Sequence, residues 1–403
     1  MEKNTGKVKV AVIGAGQRGL CFASFCAKKA DTGNFELYAV CDTKIERIEH
    51  LIKTFDLTPD VKTIDYKVLL NDRKLDGVIL ATPDNTHKQL AVEFLKSGKH
   101  VYLEKPMANN IADCKAIARA AAGPEVILQV GYVLRYTKFY STIKRILDAG
   151  TLGKIVSMEA REHLGVQHGA GYMRRWHRKA PYSGNFLLAK CSHDIDLLSW
   201  FSGARARKVA SFGGVNVFNH RKDYPSHCSK CLAEIKDGCP YAYVGWVRGS
   251  DGDGSEGRSA KNWELCVYND DKEVIDNQSA MIEYENGIRA TFNLQLFADE
   301  SYRDIHITGE KGHLEGHFGS KQSIRVKVSS TGEEISHSFT EGLAEHGGGD
   351  HAIFKSFIDA IRHERKPMTD LRSGFESAVI AIKIDEAMRS SRVVDIDPAE
   401  YEI

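Results

Sequence analysis

Residues 8–19 read VKVAVIGAGQRG, a short apolar run that ends in a glycine loop. The run from Val8 to Ile13 suits a strand buried on both faces, and Gly14-Ala15-Gly16-Gln17-Arg18-Gly19 fits G-x-G-x-x-G. Alone, such a hexapeptide reads equally well as a plain turn. Here it follows a strand, opens a helix (residues 18–30), and is followed by an acid, Asp42, at the end of the next strand (36–41). In that setting Gly14 permits the tight turn, Gly16 lets backbone N–H groups approach a pyrophosphate, and Gly19 allows helix and strand to pack closely. The helix N-terminus favours the phosphate charge. Asp42 would accept hydrogen bonds from a ribose and repel a 2′-phosphate, which favours NAD over NADP; Thr43, Lys44 and Arg47 soften that preference.

Working outward, strands at 77–81, 100–103 and 126–131 alternate with helices near 43–55, 86–97 and 110–122. The strands are almost continuously apolar, the pattern of a parallel sheet covered on both faces. Residues 1–131 therefore read as a doubly wound Rossmann domain. Beyond Gly131 a helix (133–149) leads into period-2 strands at 154–162, 207–217, 279–285, 288–298, 303–308 and 323–328. Glu285-Asn286-Gly287 lies between two of them as a hairpin turn. With helices at 190–202, 350–363 and 373–390, residues 132–403 read as an α+β domain with a large open, mainly antiparallel sheet, whose C-terminal helices pack back on the first domain. Residues 248–258 read as a flexible loop.

Composition narrows the partners. Formal net charge is +1 over 403 residues with acids and bases interleaved, which argues against nucleic acid or an anionic membrane. No stretch reaches the ~18 apolar residues of a membrane span, and Val8 to Ile13 is too short for a signal-peptide core. Nine cysteines, mostly single within elements, suggest free thiols in the cytoplasm.

Two further segments lie at carboxyl ends of strands, where such sheets bind ligands: residues 81–87 (ATPDNTH) and 104–106 (EKP). The order GxGxxG, ATPxxxH, EKP resembles the Gfo/Idh/MocA oxidoreductases, a family that includes glucose–fructose oxidoreductase and inositol dehydrogenases. The resemblance covers nearly the whole chain. It implies an NAD-dependent enzyme that removes a hydride from a secondary hydroxyl of a sugar, glycoside or inositol, and a homo-oligomer (dimer or tetramer). It assigns the cofactor to Gly14, Ala15, Gly16, Gln17, Arg18, Asp42, Ala81, Thr82, Pro83, His87, Glu104, Lys105 and Arg135. Lys105, aimed by a cis bond to Pro106, would lie by the nicotinamide and orient the substrate hydroxyl. His87 reads either as a helix cap or as a wall of the cofactor cleft.

In the second domain, residues 190–194 (KCSHD) match the family's catalytic histidine with His193. The family's aspartate four residues earlier is here Ala189. Lys190, one turn before His193 on the same helical face, is the substitute the sequence offers. Lys105 and His193 are thus the expected proton-handling pair, with Lys190 and Asp194 on the substrate side. Upstream, Arg174, Arg175, Trp176, His177 and Arg178 read as a sugar subsite or as a solvated basic loop, with His163 and His168 lining the same cleft. At 346–351 (HGGGDH), Asp350 would cap a helix, and His346 either reaches substrate or forms a turn.

Cys228, Cys231 and Cys239, beside His227, lack a fourth ligand at zinc spacing; structural metal, free thiols and a disulfide all fit. A catalytic metal is not expected. The missing carboxylate leaves two functional alternatives open. One is an NAD-recycling glycoside hydrolase acting by transient ring oxidation and elimination; the other is a non-catalytic NAD-binding sensor.

Overall fold

Val8–Ile13 (β1) runs through the middle of a six-stranded parallel sheet, with Val10, Ala11 and Val12 wholly buried. The other strands are β2 (Phe35–Cys41), β3 (Val61–Thr63), β4 (Gly77–Leu80), β5 (His100–Leu103) and β6 (Leu128–Val130). Their order is β3-β2-β1-β4-β5-β6, so the winding reverses between β1 and β4. That reversal opens a crevice at the strands' carboxyl ends, where the glycine loop, residues 81–87 and residues 104–106 all lie. The computed structural model describes residues 6–27, 34–123, 125–243, 264–340 and 346–403. The loop expected at 248–258 lies outside the described residues, as does the end of the helix expected at 18–30.

The second sheet has nine strands. They are β7 (Ile155–Gly165), β8 (Ala206–Gly214), β9 (Asn277–Tyr284), β10 (Arg289–Ala298), β11 (Tyr302–Gly309), β12 (Gly312–Phe318), β13 (Gln322–Val328), β14 (Glu334–Phe339) and β15 (Val394–Asp395). All pairs are antiparallel except β7 with β10. The 285–287 hairpin forms as expected, with Gly287 at φ +84°.

Several element boundaries differ from the expected ones for local reasons. Thr137 adopts extended backbone and caps the helix Lys138–Asp148, so the expected 133–149 helix splits into a 3₁₀ turn and a helix. Asn185 accepts from the Leu188 N–H at 2.7 Å and starts the next helix at Phe186, a turn before residue 190. Asp350 does not cap its helix; Gly348 holds that position. β12 escaped the periodicity because glycines fill two of its inward positions: a Cβ at Gly316 would meet Ile305 at 2.9 Å and Phe139 at 3.0 Å.

The C-terminal helices join the two sheets. Phe354, on the helix Gly349–His363, packs its ring against Phe22, Phe25 and Phe35 of the first domain. On Leu371–Ser390, a Cβ at Gly374 would stand 2.5 Å from Val130 of β6, so glycine permits that contact.

Candidate active site

The glycine loop has the geometry its spacing implies. Gly14 sits at φ +95°, and a Cβ on Gly19 would be 1.9 Å from the Gly14 carbonyl oxygen, so the helix Gln17–Ala27 can start this close to β1 only with glycine there. A Cβ on Gly16 would meet nothing within 4 Å; the loop opens outward at that residue. Asp42 accepts from the Ala15 N–H at 2.8 Å and the Lys44 N–H at 3.0 Å, which fixes its carboxylate at the loop's edge. Arg47 approaches it at 3.5 Å. An open backbone cradle at a helix N-terminus, with a buried acid beside it, fits a dinucleotide pyrophosphate and ribose.

The two other crevice loops are tied together by His87. Its ring is wholly buried, with Nδ1 2.8 Å from the Pro106 carbonyl and Nε2 3.1 Å from that of Thr82. Burial lowers its pKa, although both carbonyls favour the charged ring. His87 is thus a clamp between the Thr82-Pro83 turn and the Glu104-Lys105-Pro106 turn, not a cap. The Lys105–Pro106 bond is cis. Within the same loop Asp84 is buried, its Oδ2 has no hydrogen-bond partner among the described residues, and burial raises its carboxyl well above the ordinary value despite nearby Lys105.

Arg18 turns inward from the glycine loop. Its guanidinium meets Glu104 at 2.7 Å and Asp350 at 2.8 Å, joining the first domain to the 349–363 helix.

Across the crevice, the Lys105 ammonium donates to the carbonyl of Ala189, the position from which the family's aspartate is missing. One turn on, His193 is 4% exposed, and among the described residues its Nδ1 has no hydrogen-bond partner. Burial first, then the charges of Lys105, His346, Arg303 and Lys190, hold its pKa well below 6.5. The ring is neutral near pH 7. Lys190 pairs with Glu162, its Nζ 3.1 Å from the carboxylate. Burial is the largest single influence and opposes its charge, but the favourable interactions, led by Glu162, together raise its pKa and keep it an ammonium. Arg303 bonds both Glu162 and Asp194, the latter at 2.9 Å. Lys190, Glu162, Arg303 and Asp194 therefore make a buried four-membered network behind His193.

The contacts of the other expected site residues are these. Arg135 spends its guanidinium on Asp196 through two 2.7 Å bonds and on the Met368 carbonyl, a pillar at the domain junction. Arg174 is 2% exposed and bonds the carbonyls of Leu265 and Tyr241, so it anchors the segment after β8. Trp176 and His177 stack at 3.7 Å and form an aromatic plate. His163 stacks on Tyr302 at 4.6 Å, and His168 lies 5.6 Å from Tyr172. All nine cysteines are free of disulfides, and among the described residues no group of three or more His, Cys, Asp or Glu is arranged to hold a metal.

Glu162 and Arg303 were not singled out from the sequence, yet a signal exists. Glu162 is in phase with Met158, Ala160 and Leu164 on β7, and Arg303 with Ile305 and Ile307 on β11. The two face each other in the β7–β11 register. A charge on the core parity of a strand must find a partner there.

Two family models match the chain. One, described as oxidoreductase family, NAD-binding Rossmann fold, covers residues 8–132; its companion, the C-terminal alpha/beta domain, covers 144–396. The chain belongs to the Gfo/Idh/MocA oxidoreductase family. Among relatives of this Gfo/Idh/MocA protein, the putative oxidoreductase YteT of Bacillus subtilis is 25% identical over 395 residues, 87% of this chain and 86% of that one. The myo-inositol 2-dehydrogenase of Thermotoga maritima is 26% identical over 210 residues, covering 52% of this chain and 59% of that protein. Levoglucosan dehydrogenase, solved in complex with NADH and levoglucosan, shares the fold with a TM-score of 0.75 at 17% identity, over 97% of this chain and 100% of that one.

Among the described residues no helix is long and apolar enough to cross a membrane.

Proposed function

We propose that this oxidoreductase uses NAD, in preference to NADP, to oxidise a secondary hydroxyl of a sugar or cyclic polyol. The observation that carries the reading is the meeting of Lys105, from the NAD-binding domain, with the Ala189–His193 turn of the second domain. Asp42, buried at the end of β2, supports NAD over NADP. The inositol dehydrogenases among the relatives and the sugar dehydrogenases among the structural neighbours support the substrate class.

Bound NAD supplies a two-electron hydride acceptor. The Lys105 ammonium has three N–H donors and uses one on Ala189, which leaves others to hold the substrate hydroxyl oxygen. The neutral His193 ring takes the hydroxyl proton as the C–H bond gives up its electron pair and the C=O bond forms. The Trp176–His177 plate offers an apolar face on which a sugar ring can stack. Lys190, locked to Glu162, positions His193's helix and does not act as a base.

The test incubates the purified full chain with NAD or NADP and a panel of inositols, pyranoses and glycosides, following reduced nicotinamide and sugar release together. NADH accumulation is expected. Sugar release without net NADH refutes the dehydrogenase in favour of the redox hydrolase; cofactor binding with neither signal favours the sensor. Lys105→Ala should abolish turnover and leave NAD affinity within about twofold, since general acid–base and positioning groups contribute on the order of 10²–10⁴-fold.

A cytoplasmic homo-oligomer completes the proposal. Unbridged cysteines support the compartment, and Phe212 and Met281, 77% and 56% exposed on the outer face of the nine-stranded sheet, support self-association.

A further inference from the structure

His193 is buried, flanked by cations, and among the described residues no carboxylate bonds its ring. A base in that position accepts a proton but is a poor place to keep it. The chain supplies a second histidine beside it. His346 adopts φ +49°, and Gly347 and Gly348 follow at φ +66° and +81°. This left-handed coil turns the chain back on itself, so that Asp350, in the first turn of the 349–363 helix, brings Oδ2 to 2.8 Å from His346 Nδ1. A left-handed histidine costs backbone energy and persists where the surroundings hold it. Asp350 is 2% exposed, and its other oxygen is the one that pairs with Arg18. The His346 side chain is 37% exposed, and its ring centre lies 5.9 Å from that of His193.

We propose that His346 and Asp350 form the proton exit of the site, relaying to solvent the proton that His193 takes from the substrate hydroxyl. The inference rests on the reading of His193 as the base. His193 gains one proton and passes one on from its other ring nitrogen; His346 receives it and releases it to water, and no electrons move in these steps. The rings stand 5.9 Å apart between centres and do not bond directly, a spacing that one bridging water spans. Among the described residues, the groups facing His346 are Asp350 with Arg18 behind it, His193, and His168 from the Val166–Arg174 helix. Asp350 is held below the ordinary carboxylate range: burial works against its charge, but His346 and Arg18 outweigh it. A permanently charged carboxylate is the partner that an imidazolium in transit needs. Because Arg18 belongs to the glycine loop, the exit is fastened to the cofactor-binding segment, and His346 acts through His193 as a positioning and relay residue.

The test uses the full-length, NAD-saturated protein and His346→Asn, since asparagine tolerates left-handed backbone; His346→Gln is the second variant should asparagine perturb folding. With ring-¹⁵N-labelled histidine, the His193 resonance should report the titration of its neighbour and lose that inflection in the variant. An identical His193 titration in both proteins overturns the relay. With whichever polyol the panel shows to be turned over, kcat should fall on the order of 10²-fold. The KM for NAD should hold, and added imidazole should restore the rate in proportion to its concentration. Unchanged kcat, or a loss that imidazole does not relieve, also overturns it. If no polyol is turned over, the functional reading fails and the resonance titration alone decides the His193–His346 coupling.

Discussion

Replacing Glu162 with glutamine tests the buried network behind His193. Glutamine keeps the shape and removes one negative charge. Lys190 and Arg303 would then face Asp194 alone, in a region where Glu162 is 2% exposed. Removing one partner of a buried ion pair costs about 3–5 kcal/mol, because the remaining charge stays desolvated. With a urea dependence of about 2–3 kcal/mol/M, the midpoint should fall by about 1–2.5 M. Near-UV circular dichroism follows the transition. Glu162→Gln/Lys190→Met restores the balance of one acid and one base, and should recover part of the loss. Acid provides a second check. The Glu162 carboxyl is held below its ordinary 4.5: burial would raise it, but Arg303 and Lys190 outweigh burial. Its contribution is therefore present above pH 4.5 and lost as pH falls through the folded value, so the gap between wild type and variant narrows there. A midpoint shift below about 0.3 M at pH 7 would give the network no more weight than an exposed pair and refute the reasoning.

Three further outcomes follow from the same geometry. Gly19→Ala puts a Cβ against the Gly14 carbonyl and should cost about 3 kcal/mol along with NAD affinity, whereas Gly16→Ala, with open space around it, should keep stability and weaken only the cofactor; thermal melts and calorimetric titration separate the two. His87→Ala releases the clamp between Thr82 and Pro106 and should destabilise by about 2–4 kcal/mol in urea unfolding, with turnover falling because Lys105 loses its support. His193 has a depressed folded pKa, so its neutral form persists and the acid limb of kcat/KM should lie below pH 6.5; for the same reason its contribution to stability is present above 6.5 and is lost as pH falls through the folded value. An acid limb above 6.5 that survives in His193→Gln would remove it as the base.

The first domain was legible because its signals are local. A strand, three glycines and an acid at fixed offsets specify a backbone path, and the close approaches at Gly14 and Gly19 are the ones that spacing requires. The second domain was legible where strands alternate cleanly and obscure where glycines sit on the core side, as in β12, or where an edge strand such as β14 is half exposed throughout. Site residues divided in the same way. Lys105 and His193 sit in contiguous motifs. Arg135 and Arg174 looked like ligand-facing cations because sequence does not reveal the long-range partners Asp196 and Tyr241. Glu162 and Arg303, far apart in the chain yet paired in the sheet, become visible only through strand register.

That register gives the substitution at Ala189 a physical meaning. Where a carboxylate would sit near the histidine, there is a backbone carbonyl that holds Lys105 instead. The buried acids Glu162 and Asp194 are committed to Lys190 and Arg303. His193 is left among cations, which lowers its affinity for a proton and keeps it neutral and ready at pH 7. The same field makes its protonated form short-lived, so the site gains a willing acceptor and needs an outlet. Asp350, already charged and shared between Arg18 and His346, is the carboxylate placed to serve that outlet, one histidine further from the substrate than the family's usual arrangement.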